Sequence, residues 1–105
     1  MIDFSVDVIK SFDKYSKSPT LRSSVEQLLK SATSIGANYT EANASSKIDF
    51  KNKIYIAKKE AAETRYWLDV LTRVIPNEDF SALAQEALEL NLILQKIVST
   101  IKNGK

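Results

Sequence analysis

Three glutamates are the residues of this chain best spaced for acid–base or metal chemistry. Glu60 and Glu63 fall one turn apart on a helical pattern, and Glu41 falls near the end of the preceding one. Inward-facing carboxylates in a helical bundle can hold a pair of metal ions, but that design also draws on Glu-x-x-His pairs. The 105-residue sequence has neither His nor Cys, which removes imidazole bases and ligands, thiol nucleophiles, thiolate metal sites and disulfides. Pairing with Lys or Arg along the edge of an apolar stripe accounts for the same acids without any chemistry. That simpler reading is preferred, and no catalytic residue, metal or cofactor is expected.

A second set of residues could bind phosphate. Fifteen Lys and Arg against thirteen Asp and Glu leave the chain at only +2, too little to mark the whole molecule as a nucleic-acid binder. The basic residues are not spread evenly, however. Between residues 47 and 75 seven of them (Lys47, Lys51, Lys53, Lys58, Lys59, Arg65, Arg73) face four acids, a local net charge of +3. Lys51, Lys58 and Arg65 recur every seven residues and therefore share one side of a helix, where they, with Lys47, could follow the backbone of RNA or DNA. A solvated flank with i,i+4 pairs such as Lys59 to Glu63 explains the same charges. A symmetric assembly that repeats the patch around a ring favours the binding reading.

A third set could bind protein. Tyr55 and Tyr66 fall outside the apolar stripe, with Lys59 and Ala62 on the same outer face. An outer strip of Tyr and Ala resembles an interface more than ordinary solvated surface, so these four residues are the candidate oligomer contact. Trp67 flanks the stripe and reads as a residue at the edge of the core.

The elements that position these residues follow from a 3.5-residue apolar repeat. It runs through Leu21, Val25, Leu28, Ala32, Ile35, Tyr39 and Ala42, then Phe50, Ile54, Ala57, Ala61, Thr64, Leu68, Leu71 and Ile75, then Phe80, Leu83, Ala87, Leu90, Leu94, Ile97 and Ile101. Leu88, Ile93 and Val98 would widen the last face. A shorter pattern, Phe4, Val8, Phe12 and Tyr15, opens the chain. The predicted helices are 3–16, 19–42, 47–75 and 78–102. Ser18 before Pro19, Ser46 before Asp49, and Asn77 before Glu78 and Asp79 supply the expected N-caps, and Pro76 ends the third helix. Gly36, in a stretch of small residues, marks a close helix approach rather than a phosphate loop. Short connections make consecutive helices antiparallel, so the whole chain, 1–105, is expected to form one all-α, up-and-down four-helix bundle. With acids where a secretory leader carries bases, and no apolar run near the roughly 20 residues of a membrane span, no membrane is expected and the cytoplasm is the default location.

Two segments carry a family resemblance. Ser31 to Ala42 (SATSIGANYTEA) and Ala57 to Leu68 (AKKEAAETRYWL) closely resemble the paired signatures of the bacterial four-helix bundle proteins named for the intervening sequences of 23S ribosomal RNA genes. With the Leu21-Arg22 start of the second helix, the similarity extends over about residues 4–100. By matched position Gly36, Asn38, Glu41, Glu60, Glu63, Tyr66 and Trp67 are the signature residues, and the resemblance implies structural or interfacial roles for them. It also implies a homopentameric ring without enzymatic activity. A relative is the accessory variability protein of diversity-generating retroelements, a basic pentamer that binds nucleic acid and a reverse transcriptase; this chain is much closer to neutral. The expected function is a non-enzymatic, oligomeric bundle that binds RNA or DNA weakly through the basic side of its third helix. The alternative is an adaptor that docks an unidentified protein and touches no nucleic acid.

Overall fold

The computed structural model describes residues 1–104, and among these the regular elements are helical, with no strand. They are α1 (Ile2–Phe12), a 3₁₀ turn (Asp13–Tyr15), α2 (Arg22–Asn43), α3 (Lys47–Val74) and α4 (Ser81–Lys102). α2 packs on α3, α3 on α4, and the shorter α1 on α2 and α4. Pairings along each seam run in opposite chain order. Ser31 meets Thr64 while Glu41 meets Lys53, and Arg65 lies by Ala84 while Lys51 lies by Ile101, so each neighbouring pair is antiparallel.

The core is the predicted stripe. Phe4, Val8 and Phe12 of α1 meet Val25, Leu28, Ala32 and Ile35 of α2, Ile54, Ala57, Ala61, Leu68 and Leu71 of α3, and Leu83, Ala87, Leu94 and Val98 of α4. Alanines at four of these positions let the helix axes approach while the larger side chains fill the space between them. Tyr39, Phe50, Trp67, Leu90, Ile97 and Ile101 are half-buried at its margin. Ile93 departs from expectation: it is 49% exposed and does not widen the buried face, whereas Val98 does.

The helix ends both follow and correct the sequence reading. Ser46 Oγ accepts from the Asp49 N–H at 3.3 Å, the predicted cap of α3, and α3 ends at Val74 just ahead of Pro76. Ser18 Oγ accepts from the Leu21 N–H at 3.3 Å, and the Arg22 N–H reaches the Ser18 carbonyl at 3.0 Å. The cap at Ser18 is therefore made, but Pro19 to Leu21 form turns and the regular helix starts at Arg22 rather than at 19. The first helix also closes earlier than 16. At Phe12 it tightens into the 3₁₀ turn, which brings Tyr15 to 6.2 Å from Phe12, ring to ring.

Asn77 is not the cap of α4. The chain from Pro76 to Asp79 forms a turn that swings Phe80 into the core, where its ring stacks on Phe12 at 4.6 Å. α4 then opens at Ser81, whose N–H donates to Asp79 Oδ1 at 2.9 Å; hydrogen bonding from the Ser81 side chain, and then from this N–H, holds the Asp79 carboxyl below its usual range. Glu78, left outside the helix, pairs instead with Lys14. That hydrogen bond lowers the Glu78 pKa and raises that of Lys14, while desolvation and then the nearby Glu78 raise the Tyr15 phenol.

Candidate functional site

α3 distributes its charges unevenly between its two flanks. Lys53, Glu60, Trp67 and Val74 form one line at seven-residue spacing, and the ion pair from Lys53 Nζ to Glu41 Oε1 at 2.7 Å fixes that line beside α2. Lys51, Lys58, Arg65 and Thr72 form the line on the other side of the stripe, toward α4. Lys51 borders a small cleft of about 230 Å³ with Lys47, Phe50, Ile101 and Gly104. Arg65 and Thr72 border a larger groove of about 700 Å³ between α3 and α4. Lys58 lies between the two, half-buried, while Lys47, Lys51 and Arg65 are exposed.

The acids of this region lie toward the α2 side or are already paired, and Asp69, which borders the α3–α4 groove, is among the paired ones. Glu41 is taken by Lys53, and Asp69 pairs with Arg73 at 3.5 Å. Glu60 lies on the α2 flank and Glu63 on the adjacent outer line. Among the described residues, Lys47, Lys51, Lys58 and Arg65 make no ion pair, and the suggested Lys59–Glu63 pair does not form. Nor do three or more Asp or Glu residues gather to hold a metal ion among those residues. The acids that were spaced for chemistry in the sequence are dispersed by the fold.

The proposed interface strip is divided. Tyr66, 59% exposed, and Ala62 border the large groove together with Arg65 and, from α4, Ser81, Ala84 and Leu88. Tyr55 and Lys59 are also exposed but border neither cleft. Arg65, expected among the phosphate contacts, thus shares a groove with two residues expected at the oligomer contact. Seven-residue spacing gives a side chain's angle on α3 but not the identity of the α4 residues opposite it, so this sharing carried no signal in the sequence.

The signature segments meet at a buried hydroxyl pair that was not singled out. Thr64 Oγ1 lies 3.0 Å from Ser31 Oγ, and both residues are fully buried. Each hydroxyl also reaches a carbonyl of its own helix, Thr64 to Glu60 at 2.8 Å and Ser31 to Leu28 at 3.1 Å. One proton per hydroxyl suffices: whichever hydroxyl donates across the seam, the other donates to its own helix carbonyl, and no buried donor is orphaned. The signal was a Thr on an apolar-stripe position of the third helix and a Ser immediately beside the stripe of the second. Asn38 is likewise structural, its Nδ2 donating to the Ser34 carbonyl at 2.8 Å. Gly36 marks a close approach as expected, although the approaching group is Met1 at the start of α1: a Cβ on Gly36 would lie 3.3 Å from the Met1 Cβ. Trp67 is half-buried against the core and meets Tyr66 edge-on at 5.0 Å.

Comparison with known proteins adds the family. No curated protein matches the chain. Among solved structures it resembles a protein of unknown function from the S23 ribosomal protein family of Bacteroides thetaiotaomicron VPI-5482, with 34% identity and a TM-score of 0.83 over 92% of this chain and 93% of that one. Residues 1–96 match the 23S rRNA-intervening sequence protein family. With a match that spans both signature segments and nearly the whole length, and a fold in agreement, this chain belongs to the 23S rRNA-intervening sequence protein family.

Proposed function

We propose that this chain is a non-enzymatic, self-associating helical bundle that binds RNA or DNA weakly in the cytoplasm through the α4-side flank of α3. The observation that carries the reading is the excess of base on one flank of α3: Lys47, Lys51, Lys58 and Arg65 run along the α3–α4 seam, where Asp69 is engaged by Arg73, while Glu41 is drawn to Lys53 on the α2 seam and Glu60 shares that flank. A row of cations that make no ion pair among the described residues suits a phosphate backbone, and it reads charge and shape rather than base sequence. The family resemblance supports assembly as a homopentameric ring, in which five copies of the row would add. None of the described helices is long and apolar enough to cross a membrane.

The test is fluorescence anisotropy of a labelled RNA hairpin and a DNA duplex against wild type and a Lys51→Glu, Lys58→Glu, Arg65→Glu triple variant. Loss of binding with helicity retained is expected, and equal binding by the variant refutes the reading. The adaptor alternative is supported by the apolar lining of the larger groove. Recovery of a stoichiometric protein partner that survives nuclease treatment, without phosphate binding by the purified chain, would favour it.

A further inference from the structure

α1 carries two apolar faces, and the bundle buries only one. Phe4, Val8 and Phe12 point into the core. On the other side Ile2, Val6 and Ile9, at 78%, 40% and 44% exposure, repeat at i, i+4 and i+7, and Asp13 continues the line one turn on. A second apolar stripe on a short helix is unusual for a surface with no partner. The same molecule has an unfilled complement. The groove between α3 and α4 is lined by Ala62, Tyr66, Ala84 and Leu88, with Arg65 and Asp69 bordering it. α1 cannot reach the groove of its own chain with this stripe, because its opposite face is locked into the core by the two phenylalanines.

We propose that the outer stripe of α1, Ile2–Val6–Ile9, docks in the α3–α4 groove of a second copy of this chain. The lengths agree: the stripe spans about 10 Å and the groove about 15 Å along α3, from Ala62 to Thr72, at about 1.5 Å per residue. The charges agree as well. Asp3, Asp7 and Asp13 outnumber Lys10 and leave the α1 segment acidic, since Lys14 is occupied by Glu78; of the two charges that border the groove, Asp69 is engaged by Arg73 and Arg65 makes no ion pair among the described residues. Pairing groove with groove would set Arg65 against Arg65, and pairing stripe with stripe would bring acidic segments together. The favoured contact is therefore head to tail, and such a contact propagates from copy to copy until a ring closes. Docking covers Arg65, Ala62 and Tyr66 and leaves Lys47, Lys51 and Lys58 to the phosphate. The proposal deepens the self-association part of the reading above and is independent of nucleic-acid binding.

Light scattering of four samples tests it, with circular dichroism to confirm helicity. Wild type should have a mass several times the 11.8 kDa of one chain. Val6→Asp/Ile9→Asp damages only the stripe, Ala84→Arg only the groove, and each should run as a monomer. An equimolar mixture of the two should form dimers and nothing larger, because one intact stripe then finds one intact groove; this recovery also shows that both variants are folded. A wild type that is monomeric overturns the proposal and the self-association reading together. Variants that keep the wild-type mass, or a mixture that stays monomeric, overturn the proposed contact alone.

Discussion

Phosphate binding by the α3 row sets a salt dependence that follows from helix geometry. Lys47 to Arg65 spans eighteen residues, about 27 Å at about 1.5 Å per residue, which matches about eight base pairs at about 3.4 Å each along the duplex axis. Four cations neutralising four phosphates give a slope of log K against log salt of about −3.6, so binding weakens about 150-fold between 50 and 200 mM salt. If a neighbouring α1 covers Arg65, three cations remain, with a slope of about −2.7 and about a 40-fold loss. The assay is anisotropy of a ten-base-pair duplex, short enough to engage one row of a ring, across a salt series. Changing Lys51 and Lys58 to Gln should flatten the slope by about 1.8. In the monomeric Val6→Asp/Ile9→Asp variant Arg65 is uncovered again, so its slope should steepen by about 0.9 relative to wild type. Binding that ignores salt, or a slope that survives both Lys→Gln changes, would show that this flank does not touch phosphate.

The remaining predictions concern the scaffold. Ser31→Ala and Thr64→Val should each cost about 1 kcal/mol, because each surviving hydroxyl keeps a carbonyl of its own helix and no orphan is created. The double variant should cost little more than either single one, a coupling measured by urea unfolding at fixed protein concentration; simple additivity would mean the 3.0 Å contact contributes nothing. Gly36→Leu should dislodge Met1 and cost about 1–3 kcal/mol, read from the same unfolding curves. Glu78→Gln should lower stability only inside a pH window. The native Glu78 pKa is depressed, so its contribution is present above the ordinary carboxylate range and lost as pH falls through the native value. The Lys14 pKa is raised, so the contribution is also lost as pH climbs through the lysine range. Unfolding curves of wild type and variant should thus converge at both extremes, and a difference constant with pH would exclude the ion pair as its source.

How far the sequence reached depended on whether the information was local to one helix. The 3.5-residue repeat placed nearly every core residue because it states which angle of a helix faces inward, and Ser46 and Pro76 set ends because caps and breaks are made within a few residues. Asn77 misled for a tertiary reason. Burying Phe80 on Phe12 gains more than starting α4 a turn earlier, so the connection curls through Asp79, and Glu78 becomes available to Lys14. Ile93 misled because a residue on the flank of a stripe is buried only if a neighbouring helix covers that flank, and none covers it at this point.

The candidate site depends on relations between helices, which is why its parts were visible in the sequence and its organisation was not. Lys51, Lys58 and Arg65 share an angle by arithmetic, but only the Glu41–Lys53 pair reveals that α2 lies on the opposite flank and that the bases border α4. Arg65 and Tyr66 are adjacent in sequence and point to different lines of α3, yet both border the same groove of about 700 Å³, whose lining includes the small side chains of Ala62, Ser81 and Ala84. One groove cannot hold a partner helix and a phosphate chain at once. Assembly and nucleic-acid binding therefore divide the seam by position. The apolar Ala62–Tyr66–Ala84 end suits a helix, the Lys47–Lys51 end suits phosphate, and Arg65 stands at the boundary, where its contribution to the salt slope reports which of the two has taken it.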